Sequence, residues 1–274
     1  MKFRELIAYL DEAYPKTLSM PGDVDGVDVC VDYNTQIGGV LLALDVTLSA
    51  IEYARTHGFN CILSHHAMIY SPIKKLDSDL GNAARKAAML ARYDICAAAF
   101  HTRLDAVAGG VNDCLLSAIS MKNAEPLICN DVPIGRICTF DEDYKEISIA
   151  DFTDHVDKSL KAFYKTHFDF ELSGRRARFN LTNGEHKIKK LAAVGGHGMG
   201  FIAEAANAGA DTFLTGEGKY HDFLEAREAY NINVIIAGHF ETEAVVLPEI
   251  KRAVLAKFPS TRVEYFIDDC ACLV

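Results

Sequence analysis

The chain alternates short apolar runs with segments of helical spacing, and it does so twice. In the first half, "GVLLALDV" (39–46) is a continuous apolar run of strand length. "TLSAIEYARTHG" (47–58) reads as a helix, with a Ser49/Glu52 capping-box pattern and a closing glycine. "FNCILSHH" (59–66) is a second strand, "DLGNAARKAAMLARYD" (79–94) a second helix, and "ICAAAFHTRLD" (95–105) a third strand running into a loop. Strands joined through helices of this length predict a mainly parallel sheet covered on both faces.

The second half follows the same scheme. "KLAAVGG" (190–196), "ADTFLTGE" (210–217) and "INVIIAGHFETE" (232–243) are strands, with "GFIAEAANAG" (200–209) and "HDFLEAREAYN" (221–231) as the helices between. "GFNCILSHH" lies against "GADTFLTGE", and "AFHTRLD" against "AGHFETE". Identities are few, so the correspondence rests on element order and on matching polar ends. It fits an internal duplication, with chance likeness of two α/β units as the alternative. The expected architecture is two similar α/β lobes with mainly parallel sheets: 1–120 as the first, 190–274 as the second, and 121–189 as a connecting α+β segment. Within that connection "PIGRICTF" suggests a strand and "ISIADFTDHVDKSL" a helix, and "GRRARFNLTNGEHKIKK" a hairpin turning at Asn183-Gly184.

Composition excludes several classes. The formal net charge of −10 over 274 residues argues against non-specific binding of nucleic acid or of an anionic membrane, which needs a basic face. Apolar runs stop well short of the ~18 residues of a membrane span. "MKFRELIAYLDEAYP" is an amphipathic helix with acids inside it, unlike a signal peptide. Eight scattered cysteines, several within strand-like runs (Cys30, Cys61, Cys96), behave as reduced hydrophobes of a cytoplasmic protein. There is no C-x-x-C pair, and Ala271 stands where a C-terminal prenylation signal requires cysteine.

Open parallel sheets bind ligands beyond the carboxyl ends of their strands. The polar residues collected there are His65 and His66, His101 with Asp105, Glu217, and His239 with Glu243. Two of these groups have the form His-x-x-x-acid, which places both side chains on one face if a helical turn begins there. A lone histidine at a strand end is an ordinary loop residue or cap, so the case rests on all of them falling at one kind of sheet edge. Mixed imidazole and carboxylate donors suit zinc, iron, manganese or nickel. His65, His66, Asp105, His239 and Glu243 make five ligands, more than one open catalytic ion needs and suited to two ions ~3.5–4 Å apart. On this reading the chain leaves the strand at His65, letting both imidazoles reach one place. His155, His167 and His186 fall in the connecting segment, and His57 in a helix's last turn, away from these edges.

The loop "GGHGMG" (195–200) is a second feature, whose amides could hold phosphate at a helix start; tight strand-to-helix turns use glycine without any ligand. His197, Lys219 and His221 could line the same cleft, and Asp45 could equally cap a helix.

"ALDVTLSAIEYARTHGFNCILSHHAMIYSPIKKL", "HTRLDAVAGGVND", "ADTFLTGEGKYHD" and "AGHFETE" resemble the characteristic segments of the NIF-three-like family, in order along residues 23–258. Members of that family are named GTP cyclohydrolase I type two homologues. The resemblance implies a dinuclear metal site between two α/β lobes, held by His65, His66, Asp105, His239 and a bridging Glu243, with His101 in or beside it. It also implies a ring-shaped homohexamer, and the short 121–189 connection implies that the inserted domain of longer members is absent. "DVDGVDV" (23–29) departs from the family's "D-N-x-G-L", "GGHGMG" from a plainer glycine-serine turn, and "GRIC" from "GRIG".

The function expected is a metal-dependent hydrolase acting on a small molecule, with a nucleotide as the substrate that the resemblance suggests. Two divalent transition-metal ions would activate water and polarise the group attacked, and Glu217 or His221 would move protons. A non-catalytic metal-binding or regulatory protein uses the same ligands, and a metal-dependent phosphoesterase is the reading that the glycine loop supports.

Overall fold

In the computed structural model the described residues are 1–76, 82–140, 147–174, 177–181 and 187–268. The chain divides into two compact units, one of 1–104 with 247–268 and one centred on 105–246.

The first unit opens with helix α1 (Phe3–Ala13), which buries Phe3, Leu6, Ile7 and Leu10, the single face that its spacing predicts. Strands β1 (Gly26–Val29), β2 (Gly39–Ala43), β3 (Cys61–Ser64) and β4 (Cys96–Ala99) alternate with helices α2 (Leu48–His57) and α3 (Asn82–Arg92). β2, β3 and β4 are parallel neighbours and every residue in them is buried, the pattern of strands covered on both faces. Leu41, Ile62 and Ala97, abreast on these strands, share one cluster with Ile51 and Ala54 of α2 and Leu90 of α3. Alternate residues point to the opposite face, and helix α10 (Leu247–Lys257) packs against β2 as well as α1. β11 (Arg262–Tyr265) joins β2 in parallel, and β1 pairs antiparallel with β4, for a sheet order β1-β4-β3-β2-β11.

The second unit is entered within helix α4 (Thr102–Ala106) and continues through α5 (Val111–Ala118). Strands β5 (Glu125–Cys129) and β6 (Val132–Thr139) form a hairpin turned by Asn130 and Asp131, both at positive φ as a tight hairpin turn requires. The long α6 (Ile149–Phe168) starts on Ser148, whose hydroxyl accepts from the Asp151 amide. β7 (Arg178–Asn180), β8 (Lys190–Val194), β9 (Thr212–Thr215) and β10 (Asn233–Ile236) follow, with α7 (Ile202–Asn207), α8 (Tyr220–Glu225, continued by a π-helical turn) and α9 (His239–Glu243). The sheet order is β5-β6-β8-β9-β10-β7, with β8, β9 and β10 parallel.

The two sheets share a core topology. In each, three consecutive parallel strands lie side by side in chain order, and a short strand that precedes them pairs antiparallel with the third. β1-β4-β3-β2 corresponds to β7-β10-β9-β8, and this pairs the same strands that the sequence correspondence aligned.

Other expectations are met differently. Residues 121–189 are not a separate connection, since β5, β6 and β7 complete the second sheet. Residues 247–268 return to the first unit through α10 and β11. β7 pairs with β10 and not with the strand that follows it; the Asn183-Gly184 turn, His186, the start of the 79–94 helix and the last two cysteines lie outside the described residues. α2 is capped by the Thr47 hydroxyl, not by Ser49, while Glu52 pairs with Arg55. Gly58 closes that helix at φ 74°, as expected.

Candidate metal centre

The paired histidines lie where the chain leaves β3. Both of their amides, His65 N and His66 N, donate to one carbonyl, Leu44 O, at 3.2 and 3.1 Å, and the Ser64 hydroxyl donates to His66 O at 2.8 Å. The strand's two-residue alternation ends there, so the adjacent rings come to one side, 4.9 Å apart between centroids. β4 ends in the same way: Phe100 N donates to Ser64 O, and His101 follows directly. Ligand-capable atoms of His65, His66 and His101 all lie within 4.8 Å of one another.

Each imidazole is held from behind. His65 Nδ1 is 3.1 Å from Phe100 O, a carbonyl that can only accept, so Nδ1 carries the proton. His66 Nδ1 is 3.0 Å from Asp45 Oδ1, and His101 Nδ1 is 2.7 Å from Asp23 Oδ1. In the second unit, His239 Nδ1 is 3.0 Å from Glu217 Oε1. All four rings thus have Nδ1 directed to an oxygen, which leaves Nε2 as the atom that a neutral ring would offer to an ion. Metal-binding histidines have this arrangement, because the outer acceptor fixes the ring and raises its basicity. Asp45 is therefore a partner of His66 and not a helix cap.

Asp23 is almost fully buried and also receives the Thr102 hydroxyl and amide at 2.5 and 3.0 Å. Burial alone would raise its carboxyl, but the His101 ring and the two Thr102 bonds outweigh it and hold the group well below the usual carboxylate range. A depressed folded-state pKa stabilises at pH above the unfolded value near 3.8 and is lost as pH falls through the folded one. The expected result is stability unaffected by Asp23 above pH ~5 and falling in more acid solution, with the slope reduced in Asp23→Asn; urea unfolding across pH measures it.

In the second unit α9 carries His239 and Glu243 one turn apart, and His239 Nε2 lies 2.9 Å from Glu243 Oε2. Two lone-pair atoms this close need a cation between them, a proton or a metal; neighbouring ligands of an ion at ~2.1 Å are spaced about this far apart. The helix is anchored by Tyr164, whose hydroxyl donates to Phe240 O at 2.8 Å, and by packing on α5. Asp105 lies half-buried in α4, four residues after His101.

The glycine loop supports this carboxylate. Gly195 N donates to Asn112 Oδ1, Gly196 N to Thr242 Oγ1 and Gly198 N to Thr215 Oγ1, so these three amides are used inside the fold and are not turned toward a phosphate. Gly196 sits at φ +61°, and a Cβ there would overlap the Glu243 carboxylate. Gly196→Ala should therefore cost roughly 1–3 kcal/mol in backbone strain and displace Glu243 as well, giving a lower urea midpoint with metal content reduced.

Glu217 is half-exposed; besides His239 it lies 3.6 Å from His197 Nδ1. His221 is 72% exposed and pairs with its neighbour Asp222 at 3.2 Å. His155 binds Ile119 O, while His57 and His167 stack on Tyr53 and Phe163, away from the donors. The residues that sequence reasoning missed are Asp23 and, in its role, Asp45. Asp23 opens "DVDGVDV", where it matches the first position of the family's "D-N-x-G-L", and that match was its one visible signal.

Parallel strands that end in histidines, each steadied by an outer oxygen and accompanied by a buried carboxylate, define an α/β protein with donors suited to a metal ion. Over residues 1–270 the chain matches the family described as Duf34/NIF3 (NGG1p interacting factor 3), and it belongs to that family. A Clostridium perfringens protein named GTP cyclohydrolase 1 type 2 homolog is 29% identical over 273 residues, covering 97% of this chain and 96% of the relative. A Methanocaldococcus jannaschii protein of the same name is 27% identical over 256 residues, covering 92% and 93%. Among solved structures, a Staphylococcus aureus hypothetical protein has a TM-score of 0.84 at 23% identity, covering 100% of this chain and 99% of its own. Reduced HcgD from Methanocaldococcus jannaschii has a TM-score of 0.76 at 26% identity, covering 97% of both. Among the described residues no helix is long and apolar enough to cross a membrane.

Proposed function

We propose that this chain is a cytoplasmic metal-dependent hydrolase of the GTP cyclohydrolase 1 type 2 homologue kind, holding two divalent transition-metal ions through His65, His66, His101, Asp105, His239 and Glu243. The observation that carries the reading is the common pose of the four imidazoles, each with Nδ1 against an oxygen, which leaves Nε2 to face an ion. Ordinary loop histidines have no reason to share it. Bound there, the ions would supply an activated water and polarise the bond attacked. The chain's own part is to orient the rings, through Phe100 O, Asp45, Asp23 and Glu217, and to set Glu243 beside His239. Glu217, half in solvent and bonded to His239, is suited to pass a proton outward, with His197 next to it. His221 is the more exposed proton carrier on the following helix.

For a guanine nucleotide, hydrolysis would fall at C8 of the purine and release formate; this substrate comes from the names of the relatives. The same donors serve a non-catalytic metal-binding role, and the occupied amides of the glycine loop weigh against a phosphoesterase. A homohexameric ring is part of the proposal and is read from the native mass.

The test is metal content and turnover together. Protein purified without chelator, or reconstituted with zinc, manganese or iron, should hold about two ions per chain and release formate from GTP. Metal without formate release favours the non-catalytic role. Absence of metal after reconstitution overturns the proposal.

A further inference from the structure

We propose that Cys30 and Cys96 are an oxidative-modification site: a thiol pair across β1 and β4 that peroxide converts to a disulfide. The two sulfurs lie 3.6 Å apart. Cys96 is the first residue of β4, and Cys30 directly follows β1, one step beyond the Val29–Ala97 pair of the antiparallel ladder. Opposed residues in such a ladder have Cβ atoms ~4.5–5.5 Å apart, so a small inward shift reaches disulfide geometry.

The environments of the two thiols divide the roles. Cys30 is partly open to solvent, whereas Cys96 is buried. Cys61 is abreast of Cys96 on β3 but is wholly enclosed. Peroxide therefore meets Cys30 first: Cys30–SH and H2O2 give the sulfenic acid Cys30–SOH and water. The Cys96 sulfur then attacks the Cys30 sulfur, the S–S bond forms, and the hydroxyl leaves as a second water with the Cys96 proton. Two electrons pass from the thiol pair to peroxide. Burial pushes both thiols up, so thiolate is scarce at neutral pH and the oxidation is slow, needing sustained peroxide.

The consequence is mechanical. Among the described residues β1 is the edge strand of its sheet and pairs with β4 alone. The bond would staple that edge to β4 across a long intervening chain, which limits the unfolded ensemble most. Cys61 and Cys96 open their strands while His65 and His101 follow the far ends, so this site stands independently of the metal proposal.

Reduced full-length protein treated with hydrogen peroxide, alkylated and mapped by mass spectrometry tests the pair. The expected product is a Cys30–Cys96 linked peptide two hydrogens lighter than its parts and restored by dithiothreitol. The oxidised protein should melt several degrees higher than the reduced one, and this gain should vanish in Cys30→Ala, a partly exposed position where the small side chain is tolerated. A Cys30 sulfinic acid with Cys96 still alkylatable after unfolding, or Cys96 linked to Cys61 instead, overturns the inference; both are read on the wild-type chain.

Discussion

His65→Ala should abolish metal binding in protein that still folds. The side chain is fully buried at the end of a central strand, and its tautomer is set by Phe100 O. Alanine removes one donor and leaves a polar void, and neither His66 nor His101 can fill a second coordination position without leaving Asp45 or Asp23. Glu243→Gln should give the same loss with little change of volume, since an amide carries no charge to neutralise an ion. Asp23→Asn keeps every proposed ligand and alters the group behind His101 together with its Thr102 bonds, so affinity should fall by about 10–100-fold, not vanish. Elemental analysis of the three variants, with circular dichroism to establish folding, gives the ranking. Full metal retention in both His65→Ala and Glu243→Gln would mean that the ions, if any, bind elsewhere.

The second large effect concerns stability. Arg103 is completely enclosed, follows His101 by two residues, and lies 4.5 Å over the Phe100 ring. Its guanidinium contacts Asp11 at 2.7 Å, Asp25 at 3.0 Å and the Tyr14 carbonyl at 2.9 Å. Asp25 is itself nearly enclosed, so Arg103→Ala would leave its carboxylate in a dry setting without its guanidinium partner. Breaking a buried pair from one side costs about 3–5 kcal/mol, and urea denaturation should register a loss of that size. Arg103→Ala combined with Asp25→Ala should recover part of it, because the stranded charge is gone. A loss below about 1 kcal/mol would mean that water reaches the pair and screens it.

The parallel strands were legible because strands buried on both faces are nearly continuous apolar runs, and "GVLLA", "CILS" and "CAAA" are, save for Ser64 at the end of the second. Their carboxyl ends, and hence the histidines, followed from topology. The edges were not legible. β1, β7 and β11 are three or four residues long, half-exposed and mixed in character, and their partners lie far away in the chain. By chain order residues 262–265 fall in the 190–274 lobe, whereas the pairing of β11 with β2 is decided by the open edge of the first sheet. The outer carboxylates were hidden for a related reason. Asp23 and His101 stand 78 positions apart, and no local pattern joins them until β1 pairs with β4.

The return of residues 247–268 to the first sheet makes the second unit an insertion in the first. A ribosome releases the chain from its amino end, so β2 emerges early and its neighbour β11 is made only after the whole second unit. Until then an apolar edge of β2 stays bare, an invitation to strand exchange between nascent chains. The inserted unit has no such wait, since all of its described strands are contiguous. The order of maturation would run from the inside of the sequence outward, and a chain cut after residue 246 should keep a folded second unit beside an aggregation-prone first one.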